Sequence, residues 1–148
     1  MSIDWREYEE IANPLLEDSR VKQMDCFIQH GTTTTYDHVI MVSRLCYELD
    51  QKYRLGCNLP DLLTAAILHD YYLYDWHTHG DKLHGFRHAE IATINAIKDF
   101  HVGPKTAKLI YGHMWPLNLL RFPTSREAWV LWLADKLAMF RETSGAKQ

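Results

Sequence analysis

Three stretches of this chain place an ionisable side chain where the surrounding residues are apolar. Asp135 lies within Trp129-Val130-Leu131-Trp132-Leu133-Ala134-Asp135-Lys136-Leu137-Ala138, where a buried carboxylate is costly unless it meets a cation or hydrogen-bond donors. His69-Asp70 ends the apolar run Leu62-Leu63-Thr64-Ala65-Ala66-Ile67-Leu68, and His38 shares a helical face with Val42, Leu45 and Leu49. Nine histidines in 148 residues is the unusual feature of the composition, and most fall between His69 and His113. Imidazole nitrogen and carboxylate oxygen without thiolate suit a divalent ion such as Fe, Mn, Zn, Co, Ni or Mg better than a closed structural zinc cage. Such a mixed set leaves coordination positions open, where water becomes more acidic and a phosphoryl oxygen is polarised.

The elements that must position these groups read as helices. One runs from Tyr36 to about Tyr53; another begins at Asn58-Leu59-Pro60-Asp61, with Pro near its first turn, and delivers His69-Asp70 at its end. Tyr71 to Trp76 and the polar stretch His77 to Lys82 read as a loop. A helix from about Arg87 to Phe100 carries His88, Ala92, Asn95 and Ala96 on one face, and Gly103-Pro104 opens one ending near Gly112-His113. Thr124 and Glu127 have capping-box spacing ahead of the apolar run Trp129 to Phe140. Residues through about Gln29 form one or two amphipathic helices around Trp5, Tyr8, Leu15, Val21 and Phe27; they cover the core and carry no chemistry. Strand alternation is nearly absent. The expectation is an all-α, compact single-domain helical bundle over residues 1–148, with 1–29 as covering helices and about 30–140 as the metal-binding core.

Composition narrows the function classes. With 47% hydrophobic and 24% charged residues the chain is globular, and a net charge of -3 argues against a broad nucleic-acid surface. There is no apolar run of the roughly 18 to 20 residues a membrane span needs. The start MSIDWREYEE has acidic residues where a signal peptide needs a basic then an apolar region, so a cytoplasmic location is expected. Cys26, Cys46 and Cys57 form no C-x-x-C pair and read as reduced, buried thiols.

The ordered set His38, His69-Asp70, Asp135 resembles the H…HD…D signature of HD-domain metal-dependent phosphohydrolases over about residues 30 to 140, and Ala134-Asp135-Lys136 resembles the family's final motif. His88 and His113 fall where two-metal members of the superfamily insert two more ligands, among them dinucleoside-tetraphosphate hydrolases and two-iron oxygenases. The phrases Leu83-His84-Gly85-Phe86-Arg87-His88 and His113-Met114-Trp115-Pro116-Leu117 resemble a group of small bacterial HD proteins. The resemblance implies an HD-type bundle in which Asp70 bridges two ions and is central to catalysis. His38, His69 and Asp135 would hold one ion and His88 with His113 the other, roughly 3.5 to 4 Å away; His84 competes with His88.

The implied reaction is attack of a metal-bound hydroxide on a phosphomonoester or phosphoanhydride, nucleotide-like, the partner being a small phosphorylated metabolite or nucleotide. Lys136, Arg87, His84 and Trp115 are the substrate-binding candidates, with Arg44 and Tyr71 as further ones, and a homodimer is compatible with this reading. Two other readings use the same ligands: a di-iron oxygenase, and a non-catalytic metal-stabilised nucleotide-binding module. His77, His79 and His101 read as solvated loop or helix-end residues, Asp75 as orienting a ligand or capping a turn, and Trp129 and Trp132 as core. Some related enzymes follow the His-Asp pair with a polar step such as Gly-Lys; here Tyr71-Tyr72-Leu73-Tyr74 follows, which implies a more aromatic pocket.

Overall fold

A computed structural model describes residues 2–72, 84–117 and 119–145. They form α1 (Arg6–Leu16), α2 (Ser19–Lys22), a 3₁₀ turn (Gln23–Cys26), strands β1 (Ile28–His30) and β2 (Thr33–Thr34), then α3 (Thr35–Tyr53), α4 (Leu59–Leu68), α5 (His84–Phe100), α6 (Pro104–Tyr111) and α7 (Arg126–Gly145). The fold is all-α, and helix α4 is its axis. Its residues Leu62, Leu63, Ala65, Ala66, Ile67 and Leu68 are fully buried, because an apolar surface on every side of a helix demands neighbours on every side. Those neighbours are α1, α3, α5, α6 and α7.

Local chemistry sets where the helices begin and end. The Thr34 hydroxyl accepts from the Asp37 N–H at 3.1 Å to start α3, and Arg54 closes it in the left-handed region at φ 50°. The Asn58 side chain accepts from the Asp61 N–H at 3.1 Å ahead of α4, with Pro60 in the first turn. Helix α5 starts at His84, three residues before the expected Arg87, and His101 follows its end at φ 53°.

Several expectations are corrected. A two-stranded hairpin joins α2 and α3, turning at Gly31 with φ 57°; its strands of three and two residues are too short for alternation to register. Ser125, not Thr124, caps α7: its hydroxyl accepts from the Ala128 N–H at 3.1 Å, while the Glu127 carboxylate accepts from the Asn58 N–H at 2.8 Å and ties α7 to the start of α4. Of the thiols Cys46 is buried, Cys57 half-buried and Cys26 exposed. Trp129 is 40% exposed and Trp132 half-buried; with Trp115 and Phe122 they form a cluster of edge-on and tilted rings at the surface of α7 rather than core.

Tyr8, Ala12 and Leu16 of α1 are buried in the core cluster. Tyr8 shares a hydrogen bond with Ser43 at 2.8 Å, Tyr47 donates to the Asp4 carbonyl at 2.6 Å, and Tyr36 donates to the Leu16 carbonyl at 2.7 Å. These bonds strap α1 along α3 and fix the helix that bears His38.

Candidate metal centre

Five separate stretches bring ligand-type atoms to one buried point. His38 comes from the first turn of α3, His69 and Asp70 from the end of α4, His88 from α5, His113 from just past α6, and Asp135 from the middle of α7; all six are buried. His38 Nε2 lies 3.0 Å from Asp135 Oδ1 and 3.4 Å from Asp70 Oδ2, and His69 Nε2 lies 3.4 and 3.2 Å from the same two atoms. The other Asp70 oxygen, Oδ1, lies 3.4 Å from His88 Nε2 and 3.6 Å from His113 Nε2, and those two nitrogens are 3.1 Å apart. One carboxylate thus divides its oxygens between two groups of imidazoles. His38, His69 and Asp135 form one cluster with metal-ligand spacing, and His69, Asp70 and His113 another.

For His38, His69 and His113 the far side of the ring shows which nitrogen holds the proton. His69 Nδ1 donates to the Ala66 carbonyl at 2.6 Å and His113 Nδ1 to the Ile110 carbonyl at 2.7 Å, the same local device used at the ends of α4 and α6. His38 Nδ1 faces both oxygens of Glu142, at 2.6 and 2.9 Å. Since a carbonyl or carboxylate oxygen accepts, these three rings when neutral keep their protons on Nδ1 and turn bare Nε2 lone pairs toward carboxylate oxygens. Among the described residues His69 Nε2 and Asp70 Oδ1 make no hydrogen bond, although both are buried. A buried polar atom without a partner costs about 1–3 kcal/mol. Lone pairs and carboxylates converging in this way are relieved by protons or by a cation, and an N/O donor set of this kind fits a divalent ion. The carbonyl-rich ends of α4 and α6 add to the negative potential there.

Charge in the cluster shows the same need. Burial lowers the proton affinity of His38, but Asp135 and Glu142 overcome it and raise its pKa to about 9. Burial likewise opposes charge on His69, yet Asp70 and Asp135 carry it well above the usual imidazole range. Burial pushes the Asp70 carboxyl up, but His69, His113 and His88 outweigh it and hold it well below the carboxylate range; His69 and His38 do the same for Asp135.

Two members of the site were missed by sequence reasoning. Gln29, in the stretch expected to carry no chemistry, donates its amide N–H to Asp70 Oδ2 at 3.1 Å. Its own oxygen accepts from Thr35 at 3.2 Å and Tyr72 at 3.1 Å, which fixes the orientation of the amide. No local pattern marks it, because its role comes from the hairpin. Glu142 did leave a signal: it stands seven residues after Asp135, two turns along the same face of α7.

The substrate-side candidates scatter. Lys136 Nζ is 3.4 Å from Asp135 Oδ2, and its side chain, 30% exposed, reaches from the cluster to solvent. Arg87 is exposed on α5 beside His88. Trp115 belongs to the aromatic cluster, where its carbonyl accepts from the Trp132 indole N–H. The side chain of His84, and Asp75, His77 and His79, lie outside the described residues. Arg44 is not near the centre: its guanidinium lies 4.1 Å from the centroid of the Trp5 ring. Tyr71 is buried with its hydroxyl on Asp99 at 2.7 Å and its ring against Phe100, so it has no face for a base. Tyr72 instead walls the centre, edge-on to His88.

Among the described residues no helix is long and apolar enough to cross a membrane. The chain has no match among curated proteins and none among solved structures. The sequence pattern of the HD domain matches residues 35–139, a span that runs from the first residue of α3 to four residues past Asp135 and takes in all six converging side chains, and on that match this chain belongs to the HD-domain family.

Proposed function

We propose that this protein is a metal-dependent phosphohydrolase that cleaves a phosphomonoester or phosphoanhydride of a small, nucleotide-like metabolite. Its family is of the metal-dependent phosphohydrolase type and generally hydrolytic. The observation that carries the reading is the division of Asp70, with Oδ2 turned to His38 and His69 and Oδ1 to His88 and His113. This is the placement expected of a carboxylate shared by two ions, with His38, His69 and Asp135 completing one position and His88 and His113 the other. Bound divalent ions supply a Lewis acid for a phosphoryl oxygen and water of lowered pKa.

The chain's own residues shape the rest. Lys136, next to a ligand yet open to solvent, is placed to bind a phosphate oxygen through a charge-assisted hydrogen bond. Arg87, one residue before His88, is a second candidate for the same task, and His84 and Trp115 are proposed at the substrate's far side. Tyr72 and Gln29, both buried, close the back wall of the centre and exclude water from behind Asp70.

Metal analysis of the purified protein, with a hydrolysis screen of nucleotides and phosphorylated metabolites under manganese, iron, cobalt and nickel, tests the proposal. Asp70→Ala is expected to lose bound metal and turnover together. Losing a hydrogen-bond partner of a ligand costs roughly 10- to 100-fold, so losing the shared ligand itself is expected to cost more than about 100-fold. Full turnover in a folded Asp70→Ala protein that has lost its metal would refute the mechanism. Oxygen uptake by the iron-loaded protein would favour an oxygenase, and ligand-induced stabilisation without any turnover would favour a binding module.

A further inference from the structure

Strand β1 turns an apolar residue out and an amide in: Ile28 is 40% exposed and Gln29 is buried. Successive strand residues face opposite ways, so the opposite register of this strand would have buried the isoleucine. A buried polar side chain is the informative exception to apolar burial and points to a task for the amide. Its N–H lies 3.1 Å from Asp70 Oδ2, and its oxygen accepts from the Thr35 hydroxyl at 3.2 Å and the Tyr72 hydroxyl at 3.1 Å. Turned over, the amide would set its oxygen against a carboxylate, so Asp70 and the two hydroxyls together select one orientation. Thr35 opens α3 and Tyr72 follows α4, so the amide is held from two elements of the bundle. Gln29 precedes the span 35–139 that matches the HD domain, and the hairpin brings it to the centre from outside that pattern.

An ionised carboxylate offers two oxygens with roughly four lone-pair directions, and the terminal torsion of an aspartate is a broad, nearly two-fold rotor. Asp70 therefore has two ways to serve cations: one oxygen to each of two ions, or both oxygens to one ion after a turn about that torsion. The Gln29 N–H separates them. It occupies one direction of Oδ2 and fixes the plane of the carboxylate, so that Oδ2 keeps its other direction for the side of His38 and His69 Nε2, at 3.4 and 3.2 Å. Oδ1 then stays turned toward His88 and His113. We infer that Gln29 is a positioning residue that holds Asp70 in the arrangement of one oxygen per cation; without it Asp70 turns both oxygens to one ion and the other is bound weakly. This role rests on the two-cation reading of the centre.

Titration of the metal-free full chain with Mn(II), followed by electron paramagnetic resonance, tests it. Wild-type protein is expected to bind two ions per chain and to show the exchange-coupled spectrum of a bridged pair. Gln29→Met, which keeps a long unbranched side chain and removes the amide, is expected to lose about 10- to 100-fold in affinity for one of the two ions, the usual cost of removing a hydrogen-bond partner from a ligating group. With two equivalents of Mn(II) its coupled spectrum should give way to that of uncoupled ions, which a role confined to the stability of the hairpin does not predict. Tyr72→Phe keeps the amide but removes one of the two hydroxyls that orient it. Its loss should be smaller, of the same kind, and absent in the Gln29→Met background, as for two residues acting through one contact. Affinities and a spectrum of Gln29→Met that overlay the wild type would overturn the role of Gln29 and leave the two-cation reading standing. If Gln29→Met fails to fold, the same overlay in Tyr72→Phe overturns it. A single ion per wild-type chain would overturn the two-cation reading and the role of Gln29 with it.

Discussion

Protonation at single residues governs how the cation-free protein responds to pH. His38 has its pKa raised from 6.5 to about 9, so the stability gained from its charge is complete below about pH 6.5 and is lost as pH rises through about 9. Asp70 and Asp135 are depressed below 3.8, so their contribution is present above that value and is lost as pH falls through their lower folded pKa values. The cation-free protein is therefore expected to melt at its highest temperature between roughly pH 4 and 6.5 and at progressively lower temperature toward pH 9. A saturating divalent cation should remove the alkaline decline, because it takes the place of the protons and binds better as they leave. Thermal scans across this range with and without cation provide the check; an alkaline decline that survives saturation would show that its source lies outside the centre.

At the scale of elements, the start of α7 separates two readings of one short stretch. The spacing Thr124 to Glu127 suggests a capping box, yet the hydroxyl that meets the helix N–H belongs to Ser125, and Glu127 reaches across to α4. Ser125→Ala is expected to cost about 1 kcal/mol in urea unfolding and Thr124→Ala to stay within about 0.5 kcal/mol. Equal effects, or the reverse order, would restore the box. The error shows what the chain's letters carry. Helices α3, α4, α6 and α7 were legible because apolar periodicity, proline in the first turn and capping side chains are local, and His38, His69, Asp70 and Asp135 were legible because each is an ionisable group in an otherwise apolar stretch, whereas His88 and His113 stood out only through the resemblance to two-metal HD proteins. Gln29 was not, since a glutamine in a short hairpin looks like any surface glutamine until the chain folds it onto Asp70. Nor was the exposure of Trp129, because an aromatic residue at helical spacing reads as core whether or not another element covers it.

The whole molecule is tied to its centre, since α3, α4, α5, α7 and the segment after α6 all contribute to it. A cation that binds the folded chain and not the unfolded one should raise global stability by about 2.7 kcal/mol at one hundred times its dissociation constant. Urea unfolding followed by tryptophan fluorescence and by far-UV circular dichroism should shift together under such conditions. A shift in one signal without the other would mean that the centre stabilises a part of the bundle and not the whole. The contact between His38 and Glu142 joins residues 104 positions apart, while the braces of His69 and His113 reach back only three. Closing so long a loop carries an entropic cost that local contacts do not bear, and chains rich in such closures fold slowly. During synthesis His69 can find its carbonyl as soon as α4 forms, but His38 waits until α7 has emerged. The affinity of the nascent chain for a cation should therefore arrive late and abruptly, so that metal capture reports that α3 and α7 have met.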